Sequence, residues 1–123
     1  LFGWLAYGGR MEENSQGFRV WPRDGMNIRF GVVREEQRTF FELNRDGISK
    51  SKPVQVSGDL KSITFPLENR SGDKHHTGIQ LKTEHKPGVY VDQTPIPVVP
   101  GHRGWNATIP VNQSMHTIKI IIP

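Results

Sequence analysis

Short runs of alternating apolar and polar residues, separated by turn-forming residues, constrain the fold of this chain most strongly. The clearest run covers residues 115–122, where Ile118, Ile120 and Ile122 fall on one face of a strand. Similar runs recur about every 8–14 residues, and no long stretch has the period of a helix. This pattern predicts an all-β protein.

The apolar composition indicates the same fold class. Val and Ile contribute ten residues each, whereas Leu contributes six and Ala two. β-branched side chains pack well in sheets and lose rotamer freedom in helices. A length of 123 residues suits one domain. We therefore predict a single domain, 1–123, with an immunoglobulin-like or fibronectin-like β-sandwich fold, and a small β-barrel is the alternative.

One local motif favours the sandwich. Residues 86–91 read Lys-Pro-Gly-Val-Tyr-Val, which resembles the Pro-Gly-x-Tyr-x-Val entry to a late strand in many immunoglobulin-like and fibronectin-like domains. The resemblance implies that Tyr90 packs across the turn and that its hydroxyl bonds back to the backbone. It assigns Tyr90 a structural role.

Prolines are concentrated in one region, residues 94–110, which contains Pro95, Pro97, Pro100 and Pro110. Such density is incompatible with a central strand, so we expect an extended segment along a sheet edge. Pro66 likewise predicts an edge or a bulge for the run around it.

Several kinds of chemistry are excluded or disfavoured by the sequence. There is no Cys, which removes disulfides, thiol nucleophiles and thiolate metal sites. Neither a Gly-x-Ser-x-Gly elbow nor a phosphate-binding Gly-rich loop occurs. The acidic pairs Glu12-Glu13 and Glu35-Glu36 lie in charged, turn-like contexts that favour solvation over catalysis. We predict a protein that is not an enzyme and has no cofactor.

The five histidines do not predict a metal site. They are His75, His76, His85, His102 and His116. None has the His-x-His or His-Glu-x-x-His spacing that supplies a first pair of ligands. The net charge of +4 is distributed along the chain, so no basic segment indicates a nucleic-acid partner.

A remote alternative comes from residues 34–38, Arg-Glu-Glu-Gln-Arg. This segment resembles the Arg-x-x-x-Arg half of PilZ-type cyclic-dinucleotide sites, which occur on small β-barrels. The other half, Asp/Asn-x-Ser-x-x-Gly, is met only in part by Asn69 and Ser71, because Lys74 stands in place of the glycine. The resemblance implies a nucleotide-binding barrel.

The chain starts at Leu1 without Met, and its first seven residues are apolar. They are too few to cross a bilayer, which needs about 20 residues. Residues 1–9 are interpreted as a first strand, as a strand that pairs with another chain, or as the remnant of a membrane anchor. On this basis we expect a processed or excised part of a larger protein, with membrane contact only through such an anchor.

The leading functional hypothesis is a non-catalytic module of an extracytoplasmic assembly, located in the periplasm, at the cell surface or outside the cell. It would act in structure or adhesion by contacting other protein subunits or domains. Strand addition is expected at the apolar terminal strands, either at an edge carrying Ile118, Ile120 and Ile122 or through the segment that contains Leu5.

The second hypothesis is a carbohydrate-binding module. Trp105 lies in a Gly/Pro-rich region with His102, Arg103 and Asn106 nearby, and an exposed indole could stack on a sugar ring. Trp4, Trp21 and Tyr7 are further aromatic candidates. The other interpretation of Trp105 is a side chain that covers the core under the proline-rich segment.

Overall fold

The chain folds into fourteen strands with no helix within the residues that the structure describes. A computed structural model describes residues 2–6, 9–15, 17–22, 28–34, 37–43, 47–48, 52–59, 61–69, 72–102 and 104–123. The strands are β1 (Phe2–Ala6), β2 (Gly9–Asn14), β3 (Gly17–Pro22), β4 (Ile28–Arg34), β5 (Gln37–Leu43), β6 (Gly47–Ile48), β7 (Val54–Ser57), β8 (Ser62–Glu68), β9 (His75–Lys82), β10 (Gly88–Val91), β11 (Thr94–Ile96), β12 (Val98–Gly101), β13 (Gly104–Val111) and β14 (Met115–Ile121). The all-β prediction is confirmed.

The strands form two antiparallel sheets. The six-stranded sheet has the order β1-β4-β5-β9-β13-β12, and the eight-stranded sheet has the order β11-β10-β14-β8-β7-β3-β2, with β6 also paired to β8. Among the described strands, both sheets have open edges, β1 and β12 in one and β11 and β2 in the other. Two open sheets are the arrangement of a β-sandwich rather than of a closed barrel.

The core lies between the sheets. Strand alternation supplies it, because every second residue of a strand points to the same face. The eight-stranded sheet contributes Val54, Val56, Ile63, Phe65, Leu67, Val89, Val91, Ile118 and Ile120, and Ile122, which follows β14, joins them. The six-stranded sheet contributes Ile79, Leu81, Val98, Ala107, Ile109 and Val111. The predicted apolar face of residues 115–122 is thus confirmed as buried.

The expectation that this last strand is a sheet edge is wrong. β14 pairs with β10 on one side and with β8 on the other. The side chains of Ile118, Ile120 and Ile122 are in the core, and both backbone edges of the strand have partners. Alternation identifies the buried face of a strand, but it carries no information about which strands flank it.

The proline-rich region, residues 94–110, lies partly in edge strands and partly in an interior strand of the sheets. β11 and β12 are edge strands of different sheets, so the prediction holds for residues 94–101. β13 contradicts it, because it lies between β12 and β9. Pairing with β12 reaches only to Ala107, so Pro110 lies beyond the end of that ladder.

Pro66 lies at a similar gap in an interior strand. β8 pairs with β14 along its length, but on its other side the β7 pairs end at Thr64 and the β6 pairs begin at Leu67. A residue at such a gap can lack an N–H without leaving a ladder acceptor unpaired.

Candidate functional site

The residues of the predicted sugar platform are separated by the strand geometry. Trp105 shares the inward face of Ala107 and Ile109 on β13, is half-buried, and packs against the core. Asn106 lies between Trp105 and Ala107 in the strand, so its side chain points to the opposite face of the sheet. His102 is exposed and directly follows Gly101, which pairs with Gly104, and Arg103 lies outside the described residues. Trp105 therefore packs against the core and keeps only part of its surface exposed.

The Asn106 side chain is used within the same hairpin. A Cβ atom on Gly101 would overlap the Asn106 amide, so this amide lies directly against the Gly101 backbone. Glycine permits this close approach, and the flexible Asn106 side chain can shift to make room for a larger residue. The contact helps to shape the β12–β13 turn and gives Asn106 a structural role.

The two halves of the PilZ-like pattern lie on different sheets. Arg34 and Arg38 are in β4 and β5 of the six-stranded sheet, whereas Asn69 follows β8 of the eight-stranded sheet. The Asn69 amide also has local partners. It accepts a hydrogen bond from the Gly72 N–H at 3.0 Å and donates one to the Asp73 carbonyl at 3.0 Å. This arrangement does not favour a nucleotide site.

A buried histidine forms a polar cluster that the sequence did not indicate. His116 is only 4% exposed, and its Nδ1 lies 2.5 Å from Oδ2 of Asp92. The Asn112 N–H donates to Nε2 at 3.3 Å. Because Nε2 accepts, the geometry assigns the neutral tautomer with the proton on Nδ1, which donates to the carboxylate.

The Asp92 carboxylate is held from several sides. Its Oδ1 accepts the Thr117 N–H at 2.8 Å and its Oδ2 accepts Gln113 Nε2 at 3.3 Å. Burial raises the pKa of Asp92, but the hydrogen bonds that it accepts from Thr117 and His116 outweigh this effect, so the pKa lies below its ordinary value of 3.8. Asp92 and Gln93 have φ of 47° and 72°, as both central residues of a type I′ hairpin turn must.

This Asp–His pair has the geometry of an orienting carboxylate and an imidazole base, but its position makes it structural. The second ring nitrogen already accepts a backbone N–H, so it has no lone pair for a nucleophile or a metal ion. The pair instead connects the β10–β11 turn to the β13–β14 turn. Asp92 and His116 are 24 residues apart, and Asp92 reads as an ordinary turn residue in the sequence.

The four sheet edges differ in their protection against pairing. β2 contains Arg and Glu, β11 contains Pro95, and β12 contains Pro100. Charged residues and prolines at an edge oppose pairing with another chain. β1 reads Phe-Gly-Trp-Leu-Ala and has neither. It pairs with β4 along all five residues, with Leu5 opposite Gly31, and among the described strands it has no partner on its other side.

The outer face of the eight-stranded sheet carries an open concavity of about 470 Å³, lined by Thr64, Tyr90, Gln93, Thr117, Lys119 and Ile121. A second hollow of about 170 Å³ adjoins it and shares Thr64. A Cβ on Gly88 would lie 3.2 Å from Cε2 of Tyr90, so the Tyr90 ring packs over this glycine. The hydroxyl bond implied by the motif resemblance is not made to any described residue.

Among the residues described, no three His, Asp or Glu side chains are grouped so that they could hold a metal ion. The same part of the chain contains no helix of the length and apolarity needed to cross a membrane. No protein-family model, curated protein or solved structure matches the chain.

Proposed function

We propose that this protein is a non-catalytic β-sandwich module that joins a larger extracytoplasmic or surface assembly by strand addition at β1. The supporting observation is the contrast among the sheet edges. β1 is the edge strand without a charge or a proline, whereas β2, β11 and β12 each carry one or the other. An unprotected edge offers its backbone N–H and C=O groups to an incoming strand.

The occupant of this edge is an extended strand of another subunit, and a second copy of β1 fits the requirement. Two antiparallel β1 strands would extend the six-stranded sheet across a two-fold axis, with the same residues on both sides. The affinity would come mainly from main-chain hydrogen bonds.

The experiment is light scattering on the intact chain over a range of concentrations. We expect a concentration-dependent dimer, and we expect Leu5→Lys to return it to a monomer, because lysine on an edge strand opposes pairing. The control is Val99→Lys on β12, the opposite edge of the same sheet. Val99 is already 53% exposed, so this variant should keep the mass of the parent.

A monomer at every concentration for the intact chain would overturn self-pairing at β1. A dimer that survives Leu5→Lys but dissociates with Val99→Lys would place the interface at the opposite edge. Circular dichroism of each variant verifies that the sandwich still folds.

The proposal also includes a likeness of the sandwich to immunoglobulin-like and fibronectin-like domains. The resemblance of residues 86–91 to immunoglobulin-like and fibronectin-like domains supports it, and the packing of Tyr90 over Gly88 is in keeping with a structural tyrosine. Immunoglobulin domains have seven to nine strands in all, fewer than are present here. The proposal therefore concerns the packed sheets and their use in binding rather than the strand order of that family.

The extracytoplasmic location is tested separately. Protease added to intact source cells should degrade the protein if it is exposed at the surface. Full protection in intact and outer-membrane-permeabilised cells would contradict this part of the proposal.

A further inference from the structure

The outer face of the eight-stranded sheet has a row of side chains that crosses five strands. Tyr90 of β10 is opposite Lys119 of β14, which is opposite Thr64 of β8. The row continues to Gln55 of β7 and Arg19 of β3. We call these five residues the transverse row. With neighbouring strands about 4.8 Å apart, its four intervals span about 19 Å.

We propose that the transverse row binds a linear acidic oligosaccharide, with Tyr90 stacking on a sugar ring and Lys119 and Arg19 binding carboxylates. This is a binding function separate from strand addition at β1. The site is on the other sheet and on a face, whereas β1 is an edge of the six-stranded sheet.

The shape of the surface fits an extended ligand that lies across the strands. The two hollows share Thr64, the middle residue of the row, and extend from it towards Tyr90 on one side and Gln55 on the other. A compact ligand would occupy one hollow, whereas a linear chain can follow both.

The chemistry of the surface fits a sugar. Hydroxyl and amide side chains line both hollows, including Thr117 and Gln93 near Tyr90 and Ser57 and Ser62 near Gln55. Such groups can exchange hydrogen bonds with sugar hydroxyls. The Tyr90 ring supplies an apolar body with a polar tip and is supported from below by Gly88. Trp21 is two residues from Arg19 on β3 and therefore belongs to the same face.

The charges of the row fit a ligand with spaced carboxylates. Lys119 and Arg19 are exposed, are three strand intervals or about 14 Å apart, and make no ion pair with any described residue. No acidic residue lies between them in the row, and the carboxylate of Glu12 on β2, opposite Arg19, bounds the row at that end. Single-stranded nucleic acid fits less well, because it presents a phosphate at every nucleotide and calls for a continuous basic groove.

The test is calorimetric titration with a dimer, tetramer and hexamer of galacturonic acid, and with the same oligomers after their carboxyl groups have been reduced to alcohols. We expect affinity to rise from dimer to tetramer and then to level off, because the row ends after about 19 Å. The reduced oligomers should bind about tenfold more weakly, since both ion pairs are lost.

Two variants and a matched control locate the site. Tyr90→Ala should weaken tetramer binding about tenfold and Lys119→Gln about fivefold. Lys82→Gln removes the same charge from an exposed position on the six-stranded sheet and should leave the affinity unchanged. Thermal unfolding of each variant confirms that the fold is retained.

Four results would overturn the proposal. They are no binding of the hexamer at millimolar concentration, equal binding of the acidic and reduced oligomers, equal weakening by Lys82→Gln and Lys119→Gln, and tighter binding of a single-stranded oligonucleotide than of the hexamer. The third would indicate unspecific attraction to a basic protein, and the fourth a nucleic-acid surface.

Discussion

The contact between Asp92 and His116 gives the most specific stability prediction, because three separate terms can be assigned to Asp92. The charge-assisted bond to His116 is 2.5 Å long, but the Asp92 side chain is 43% exposed, so water reduces its contribution to about 1 kcal/mol. The bond that accepts the Thr117 N–H adds about 1 kcal/mol. The φ of 47° costs alanine about 1 kcal/mol more than aspartate. Asp92→Ala should therefore lower the free energy of unfolding by about 3 kcal/mol.

Asp92→Asn separates these terms. Asparagine tolerates the left-handed conformation and keeps an acceptor for the Thr117 N–H, so the loss should be about 1 kcal/mol. The assay is urea unfolding at neutral pH, monitored by tryptophan fluorescence. Asp73→Ala, an exposed loop residue, is the control and should stay within about 0.5 kcal/mol of the parent.

A double-mutant cycle with His116→Phe measures the pair itself. The coupling energy between Asp92→Ala and His116→Phe should be about 1 kcal/mol. Coupling indistinguishable from zero, or equal losses in the Ala and Asn variants of Asp92, would refute the assignment of these terms.

Four further results are expected. Phe65→Ala should lower the free energy of unfolding in urea by about 3–5 kcal/mol, since Phe65 is in the core and only 1% exposed. A smaller loss would mean that the Phe65 side chain is not tightly packed. Gly104→Ala should lower the melting temperature more than Gly101→Ala, because its Cβ would overlap the Leu81 carbonyl oxygen whereas that of Gly101 meets only a side-chain amide; the opposite order would contradict this turn geometry. The folded-state pKa of Asp92 is below 3.8, so its contribution to stability is present above that pH and is lost as pH falls through the folded value. When pH is lowered from about 6 to about 2, the free energy of unfolding should accordingly fall less for Asp92→Asn than for the parent protein. An equal fall in both proteins would contradict the assignment of this pH dependence to Asp92. Nitrogen-15 NMR of His116 near neutral pH should show the proton on Nδ1, and a proton on Nε2 would contradict the bond from Asn112.

Local patterns predicted much of the strand content. The alternation at 115–122 identified a buried face correctly, because a two-residue period is a direct consequence of strand geometry. Ile118, Ile120 and Ile122 are all in the core as expected. β4 and β5 also pair antiparallel with each other.

The arrangement of strands could not be obtained in the same way. β14 has the apolar character of many strands, and its position between β10 and β8 depends on partners at distant points of the chain. β2 is charged and contains no β-branched residue, so it gave no strand signal, yet it pairs with β3 along its whole length. Tertiary pairing can outweigh the local preference of such a segment.

Prolines were informative in a different sense from the one expected. Pro95 and Pro100 lie in true edge strands, but Pro66 and Pro110 lie in interior strands at points where a ladder is interrupted on one side. The missing N–H requires a local gap, and a whole edge is only one way to provide it. Proline in an apolar run is therefore evidence for a gap in pairing at that residue, and not for the position of the whole strand.

Strand alternation places the side chains of two aromatic residues, Trp105 and Tyr90, on opposite kinds of face. Trp105 is followed at every second position by Ala107 and Ile109, which already indicates an inward side chain. Tyr90 is flanked by Val89 and Val91, both buried, so it must point outward. Alternation within each strand thus favours Tyr90 over Trp105 as the ring available to a ligand. Trp105→Phe should lower stability and leave oligouronate binding unchanged, whereas Tyr90→Ala should weaken that binding. Loss of binding in Trp105→Phe but not in Tyr90→Ala would restore Trp105 as the binding aromatic.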